Sequence, residues 1–366
     1  MGRGKLRLPA IPAFLSLLLA PLMAASAAGE PMRPIANMFD PLSKPALMIH
    51  DSSVMALLVC AVIFVIVTGM LVYVTFKFRS KGSADDRKEP PQIYGSSQIE
   101  LAWTVIPILI TVVLILVTTR TIGEIQDHPI PANALRIRVI GHQWWWEIHY
   151  QKLLADQDGK AILDKSGKEQ FVTDFTIANE IHVPVARHTE ITLESADVLH
   201  SFWVAQLNGK TDLIPGIKNH TWIEPSATGV YFGNCAEYCG TQHANMQIKV
   251  IVQTEADFAQ WVTQQKTPPA PPTTPEAIAG KQIFYANSCI NCHKVDGTVA
   301  EGVFGPDLTH LATRMTIGAG IRPNNTESLR EWMHDPATFK PGVLMPDMQL
   351  TDQQVDQVVA FLQTLK

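Results

Sequence analysis

The chain has 366 residues, 46% of them hydrophobic, and a net charge of -5. That length holds two or more domains, and the acidic balance argues against a basic nucleic-acid binder, so no nucleic-acid partner is expected. Its five cysteines leave no pair for a structural disulfide: Cys235 and Cys239 form one close pair, Cys289 and Cys292 another, and Cys60 sits alone in an apolar segment.

Arg3, Lys5 and Arg7 precede an apolar run from about Ile11 to Ala24, followed by Ala25-Ser26-Ala27. A basic start, a short apolar run and an A-x-A site predict a signal peptide over residues 1–28. Val54 to about Thr75 and Leu101 to Thr119 are uncharged apolar runs long enough to cross a bilayer, which predicts a transmembrane hairpin within residues 29–120. Pro107 lies inside the second run, and Cys60 in the first reads as a buried apolar side chain. Lys77, Arg79, Lys81, Arg87 and Lys88 make the intervening loop basic, which places it in the cytoplasm and everything after Arg120 on the outer side.

From Leu135 to about Gln253 the texture changes to short β-branched and aromatic runs: 137–140, 191–193, 221–223, 230–232 and 248–252. Gly, Pro, Asn and Asp separate them at intervals that suit an all-β sandwich or barrel over residues 130–265, with a closing helix at 256–265. Residues 266–275 are proline-rich and read as a semi-rigid linker. Over residues 276–366, helix starts at Pro275-Glu276 and Thr326-Glu327 and a capping box at Thr351 and Gln354 predict a small all-α domain. Its thin core would be reinforced by a bound prosthetic group.

Two stretches carry the chemistry. Cys235-Ala236-Glu237-Tyr238-Cys239-Gly240-Thr241-Gln242-His243-Ala244-Asn245-Met246 brings together two thiols, an imidazole, a thioether and a carboxylate. Thiolate, thioether and imidazole are soft ligands that select copper, and a mononuclear blue site uses one thiolate, so the second points to a bridged, dinuclear centre. The plainer reading, a Cys2His zinc site with one more ligand, has no use for the methionine. Cys289-Ile290-Asn291-Cys292-His293 is the c-type haem attachment pattern, with the imidazole placed as the proximal iron ligand. Met315, Met333, Met345, Met348, His310 and His334 lie downstream as choices for the other axial position.

The first stretch fills every position of C-x-E-x-C-x-x-x-H-x-x-M and resembles the CuA loop of cytochrome c oxidase subunit II. Ser195-Ala196-Asp197-Val198-Leu199-His200-Ser201 is similar to the S-x-D-V-x-H-S segment that supplies that family's other histidine, and Gly141-His142-Gln143-Trp144-Trp145-Trp146 to its G-H-Q-W-x-W segment. Thr211-Asp212-Leu213-Ile214-Pro215-Gly216 also resembles the family, with Ile217 where an arginine is usual and Lys218 next to it. Lys340-Pro341-Gly342-Val343-Leu344-Met345-Pro346 resembles the K-P-G-x-x-M-P loop of class I cytochromes c.

The whole mature chain resembles a caa-type subunit II: a multidomain membrane protein with a two-helix transmembrane hairpin, an all-β cupredoxin-like sandwich and a small all-α class I cytochrome c domain. The resemblance implies a dinuclear copper (CuA) centre on His200, Cys235, the Glu237 carbonyl, Cys239, His243 and Met246. It implies a magnesium or manganese ion shared between the Glu237 carboxylate and subunit I. Haem c would be attached covalently at Cys289 and Cys292, with His293 and Met345 as axial ligands, Met348 as the second choice, and Pro306 against the proximal ring. Trp144 would be the exposed residue through which electrons reach copper. The implied function is electron transfer from an external c-type cytochrome to haem a of subunit I in a proton-translocating cytochrome c oxidase that reduces oxygen. Subunits I and III and membrane lipid would be partners, and the place a bacterial cell membrane with both metal domains on its outer side. The ligands alone also allow a membrane-tethered electron carrier serving another reductase.

Overall fold

A computed structural model describes residues 37–79, 89, 91–158 and 160–366. The predicted signal peptide and the loop residues Lys81, Arg87 and Lys88 lie outside the described residues. Two long helices come first, α1 (Lys44–Lys77) and α2 (Ser97–Gln126), both long and apolar enough to cross a membrane. With 34 and 30 residues they rise about 51 and 45 Å, more than the roughly 30 Å of a hydrocarbon core, so their ends reach beyond it. Each helix is therefore longer than its uncharged run. Cys60, expected as a buried side chain, is exposed on α1, because no other part of the chain among the described residues packs on that face of the helix. Ser52 Oγ and Thr121 Oγ1 are 2.7 Å apart and join the two helices.

Ten strands follow: β1 (Leu135–His142), β2 (Trp145–Leu153), β3 (Phe171–Ala178), β4 (Glu180–Pro184), β5 (Thr189–Ser195), β6 (His200–Trp203), β7 (Thr211–Leu213), β8 (Asn219–Ile223), β9 (Gly229–Cys235) and β10 (Gln247–Gln253). They form two five-stranded sheets, ordered β3-β2-β1-β5-β8 and β4-β10-β9-β6-β7. The alternation typical of half-buried strands is clear in β2, where Trp146, Ile148 and Tyr150 face inward. These side chains share one core with Ile181, Phe202, Tyr231 and Val250 of the other sheet. Helix α3 (Glu255–Gln265) closes the sandwich, its first turn capped by the Thr254 hydroxyl.

The sandwich is tied to the ends of both membrane helices. Ser43 Oγ, just before α1, accepts from the Glu224 amide at 2.9 Å, and the Trp222 indole donates to the Ile125 carbonyl in the last turn of α2 at 2.9 Å.

The C-terminal domain contains α4 (Pro275–Ala286), the single turn α5 (Cys289–Cys292), a two-stranded ribbon of β11 (Thr316–Ile317) and β12 (Arg322–Pro323), α6 (Thr326–His334), α7 (Pro336–Phe339) and α8 (Asp352–Leu362). The Thr351–Gln354 capping box opens α8, as the sequence predicts. Helices α4 and α8 pack closely, with Phe284 against Phe361, and a Cβ at Gly280 would overlap the Gln357 carbonyl. Gly280→Ala is thus expected to force the helices apart and destabilise this domain by about 1–3 kcal/mol. Chemical denaturation followed by haem absorbance checks this; an unchanged midpoint would show that the crossing relaxes without cost.

Candidate copper and haem centres

Strand β9 delivers Cys235 and β10 starts at Gln247, so residues 236–246 form the loop between neighbouring strands, its neck closed by Cys235 N donating to the Met246 carbonyl at 2.9 Å. On the other side β6 pairs with β9, Phe202 opposite Cys235, which brings His200 at the start of β6 alongside the loop. The two sulfurs stand 3.7 Å apart. Cys235 Sγ is flanked by His200 Nδ1 at 3.9 Å and the Glu237 carbonyl at 3.2 Å; Cys239 Sγ by His243 Nδ1 at 3.6 Å and Met246 Sδ at 3.8 Å. Cys235, Cys239, His200 and Met246 are buried, and both thiols are free.

The imidazole is held in place. His200 Nε2 bonds Asp197 Oδ1 at 2.7 Å, which turns Nδ1 toward the sulfurs. The ring lies on Gly141, where an added Cβ would come within 2.7 Å of it. Burial lowers the His200 pKa, but the bonds to Asp197 and Cys235 carry it above the ordinary value. The hydrogen bond from Cys239 holds the Cys235 thiol far below its usual range against the cost of burial, whereas the Cys239 thiol is pushed up by Cys235. A metal that takes both sulfurs as thiolates therefore displaces the Cys239 proton. Soft donors converge on one buried spot, so this site fits copper.

The Glu237 carboxylate points away from the sulfurs and pairs with Lys210 Nζ at 3.1 Å, which also binds Asp212. Lys218, beside Ile217, is paired with Glu194 at 3.3 Å. His142, not a predicted ligand, bonds Glu147 at 2.9 Å and stacks on Trp145.

In the C-terminal domain the α5 turn presents Cys289 and Cys292 at one wall of an apolar cavity. His293 Nδ1 bonds the Pro306 carbonyl at 2.8 Å, leaving Nε2 free for a ligand, and burial lowers its pKa, which keeps the ring neutral. Met345 and Met348 line the same cavity with Phe304, Leu329 and Val358. Trp332, which sequence reasoning did not single out, donates its indole N–H to Met345 Sδ at 3.0 Å. Two thiols, an oriented imidazole and an apolar cavity with thioethers fit a covalent haem.

The two centres meet across an interface. Trp144 donates its indole N–H to the Cys239 carbonyl at 3.0 Å, and Gln143 Nε2 reaches the same oxygen at 2.7 Å. Trp144 is not exposed, as the resemblance implied, but 9% accessible, because the Lys340–Met345 loop covers it: a Cβ at Gly342 would come within 3.3 Å of its ring. Lys340, only 2% accessible, donates to the carbonyls of Trp144 (2.7 Å), Asn245 (2.9 Å) and Gly318 (2.9 Å). Burial lowers its pKa, while the three carbonyls it donates to favour the charged form. Gln242 in the copper loop donates to the Pro341 carbonyl at 2.7 Å, and buried Glu180 accepts from the Met315 and Thr316 amides. Instead of ranging on a spacer, the haem domain is therefore seated on the copper domain. Lys340 lies in the Lys340–Pro346 motif, but nothing in the sequence indicates that its partners are three carbonyls distant along the chain.

Fold and sites together define a membrane-anchored copper protein with a fused c-type cytochrome domain. The family profile of the cytochrome c oxidase subunit II transmembrane domain matches residues 37–120, that of its periplasmic domain residues 135–254, and that of cytochrome c residues 277–366. Cytochrome c oxidase subunit 2 of Alkalihalophilus pseudofirmus is 34% identical over 89% of this chain and 90% of that protein; that of Bacillus sp. (strain PS3) is 32% identical over 79% of each. The solved periplasmic domain of subunit II of cytochrome oxidase (CoxB) of Bradyrhizobium japonicum is 31% identical, covering 38% of this chain and 97% of that one, with a TM-score of 0.29. The chain belongs to the cytochrome c oxidase subunit II family, with a fused cytochrome c domain and a two-span membrane anchor.

Replacing Lys340 with Met leaves three interface carbonyls without their donor, and docking should weaken by about 2–4 kcal/mol. Hydrogen exchange is expected to rise at 144–146 and 245–247 while the copper and haem spectra keep their shape. Unchanged protection would mean that the remaining contacts suffice.

Proposed function

We propose that the copper centre of this oxidase subunit is dinuclear CuA. One observation carries the reading: each of two sulfurs 3.7 Å apart has its own imidazole and its own weak donor, Glu237 O for Cys235 and Met246 Sδ for Cys239. A single metal has no use for two such sets, whereas two metals bridged by both thiolates use all six groups. Cys289 and Cys292 would hold haem c, with His293 and Met345 as its axial ligands; Trp332 supports Met345 over Met348 by fixing its sulfur.

When bound, copper and haem supply one-electron exchange, by which the subunit carries electrons from an external c-type cytochrome toward haem a of subunit I. The chain's own residues do the rest. Asp197 and the Pro306 carbonyl orient the two histidines, the closed loop neck and apolar walls exclude water, and Lys340 holds the haem domain against the copper loop. Trp144, bonded to the Cys239 carbonyl and covered by the haem loop, would connect the two centres within the chain. Glu237, turned outward beside Lys210, would meet a magnesium or manganese ion only with ligands from subunit I. Subunits I and III would complete the complex in a bacterial cell membrane, with both metal domains on the outer side.

Cys235→Ser is expected to abolish the near-infrared copper band and leave the haem spectrum intact; a retained band would end the bridging role. Met345→Ala should give a high-spin haem or one of lower potential. If Met348→Ala does so instead, Met345 is not the axial ligand.

A further inference from the structure

A second cluster of metal-type ligands lies where the membrane anchor meets the sandwich, apart from the copper loop and the haem. His128 follows the last turn of α2, His188 precedes β5, and Glu190 lies in β5. Their ligand atoms all fall within 4.8 Å of one another, and His188 and Glu190 are buried. Two imidazoles converge on one carboxylate oxygen: His128 Nε2 stands 3.2 Å and His188 Nε2 3.4 Å from Glu190 Oε2.

Both contacts are long for histidine–carboxylate hydrogen bonds, and two others in the same sandwich are shorter. His200 to Asp197 is 2.7 Å and His142 to Glu147 is 2.9 Å, the lengths of charge-assisted hydrogen bonds. Ligand atoms held about 2.0–2.1 Å from a tetrahedral zinc ion stand about 3.3–3.4 Å from each other, close to what the Glu190 oxygen and its two imidazoles show.

The surroundings also suit a metal. His128 Nδ1 donates to the Ile125 carbonyl at 2.9 Å, which orients the ring with Nε2 toward Glu190. His188 Nδ1 faces Glu224 at 3.9 Å. Trp222 packs on both imidazoles, with centroids 4.6 Å from His128 and 5.0 Å from His188, and limits their rotation. His220, more than half exposed, has Nδ1 3.8 Å from Glu190 Oε1, within reach as a fourth ligand.

We propose that His128, His188 and Glu190 form a structural zinc site, with His220 or water in the fourth position. Borderline nitrogen donors with one carboxylate are a zinc donor set. The ion would join the end of the second membrane helix to β5, beside the Trp222–Ile125 hydrogen bond, and so help to hold the copper domain to its anchor. This inference does not depend on the number of coppers or on the axial ligand of the haem.

The test uses the full chain purified in detergent with haem and copper loaded, exposed to zinc sulfate, desalted, and analysed for zinc, copper and iron. One zinc per chain is expected beyond the copper and iron. Glu190→Gln should weaken zinc retention by about 100-fold or more with copper, iron and both absorption spectra unchanged. His128→Asn, altered at the edge of the site, should do the same and covers the case in which the Glu190 variant does not fold. Cobalt(II) in place of zinc should give intense tetrahedral d–d absorption in the unaltered chain and not in the variants. No zinc retained by the unaltered chain, or equal zinc in all three proteins, overturns the site.

Discussion

The arrangement depends on one buried ammonium. Lys340 donates to three carbonyls from three separate segments: the β1–β2 turn at Trp144, the copper loop at Asn245 and the haem domain at Gly318. Taking a cation out of water costs several kcal/mol unless its donors are matched, and here all three are. Because the acceptors are backbone, their positions follow from the course of the chain rather than from side-chain rotamers. A shift of the haem loop relative to the copper loop would leave a buried donor or acceptor unpaired.

Docking changes what the fusion achieves. A tether alone raises the local concentration of a donor domain, whereas a seated domain also fixes its orientation. The seat has a further consequence: Trp144 is covered, so while the domains are docked an external protein has no access to it, and a soluble partner must meet the chain elsewhere. The interface is polar at its core, with buried Glu180, Lys249 and Lys340, the composition of a contact able to open rather than of a hydrophobic core cut in half.

The copper site shows how a sandwich makes a stiff cage from short loops. β6 and β9 are paired neighbours, so a histidine at the start of one and a cysteine at the end of the other meet at the same rim. Gly141 lets the imidazole approach β1 closely, and Asp197 sets its rotation. The donor atoms are thus placed by strand pairing and a hydrogen bond. The same sandwich grips both membrane helices, so the site's height above the bilayer is tied to the anchor.

The sequence by itself determined whatever is contiguous. Two apolar runs, short β-branched and aromatic runs between turn residues, a proline-rich break, a capping box and two dense ligand motifs are local patterns, because hydrogen bonding within a helix and ligand spacing within a loop act over a few residues. Strands β2, β3, β4, β6 and β7 were less legible: short, aromatic or rich in charge, they take their state from neighbours in the sheet. Only the tertiary structure decided that Trp144 is covered, that Lys340 is a clasp, that Trp332 fixes Met345, and that His128, His188 and Glu190 share one spot. Each of these joins residues far apart along the chain, and burial, like convergence on a common point, is a property of the packed chain that no local pattern encodes.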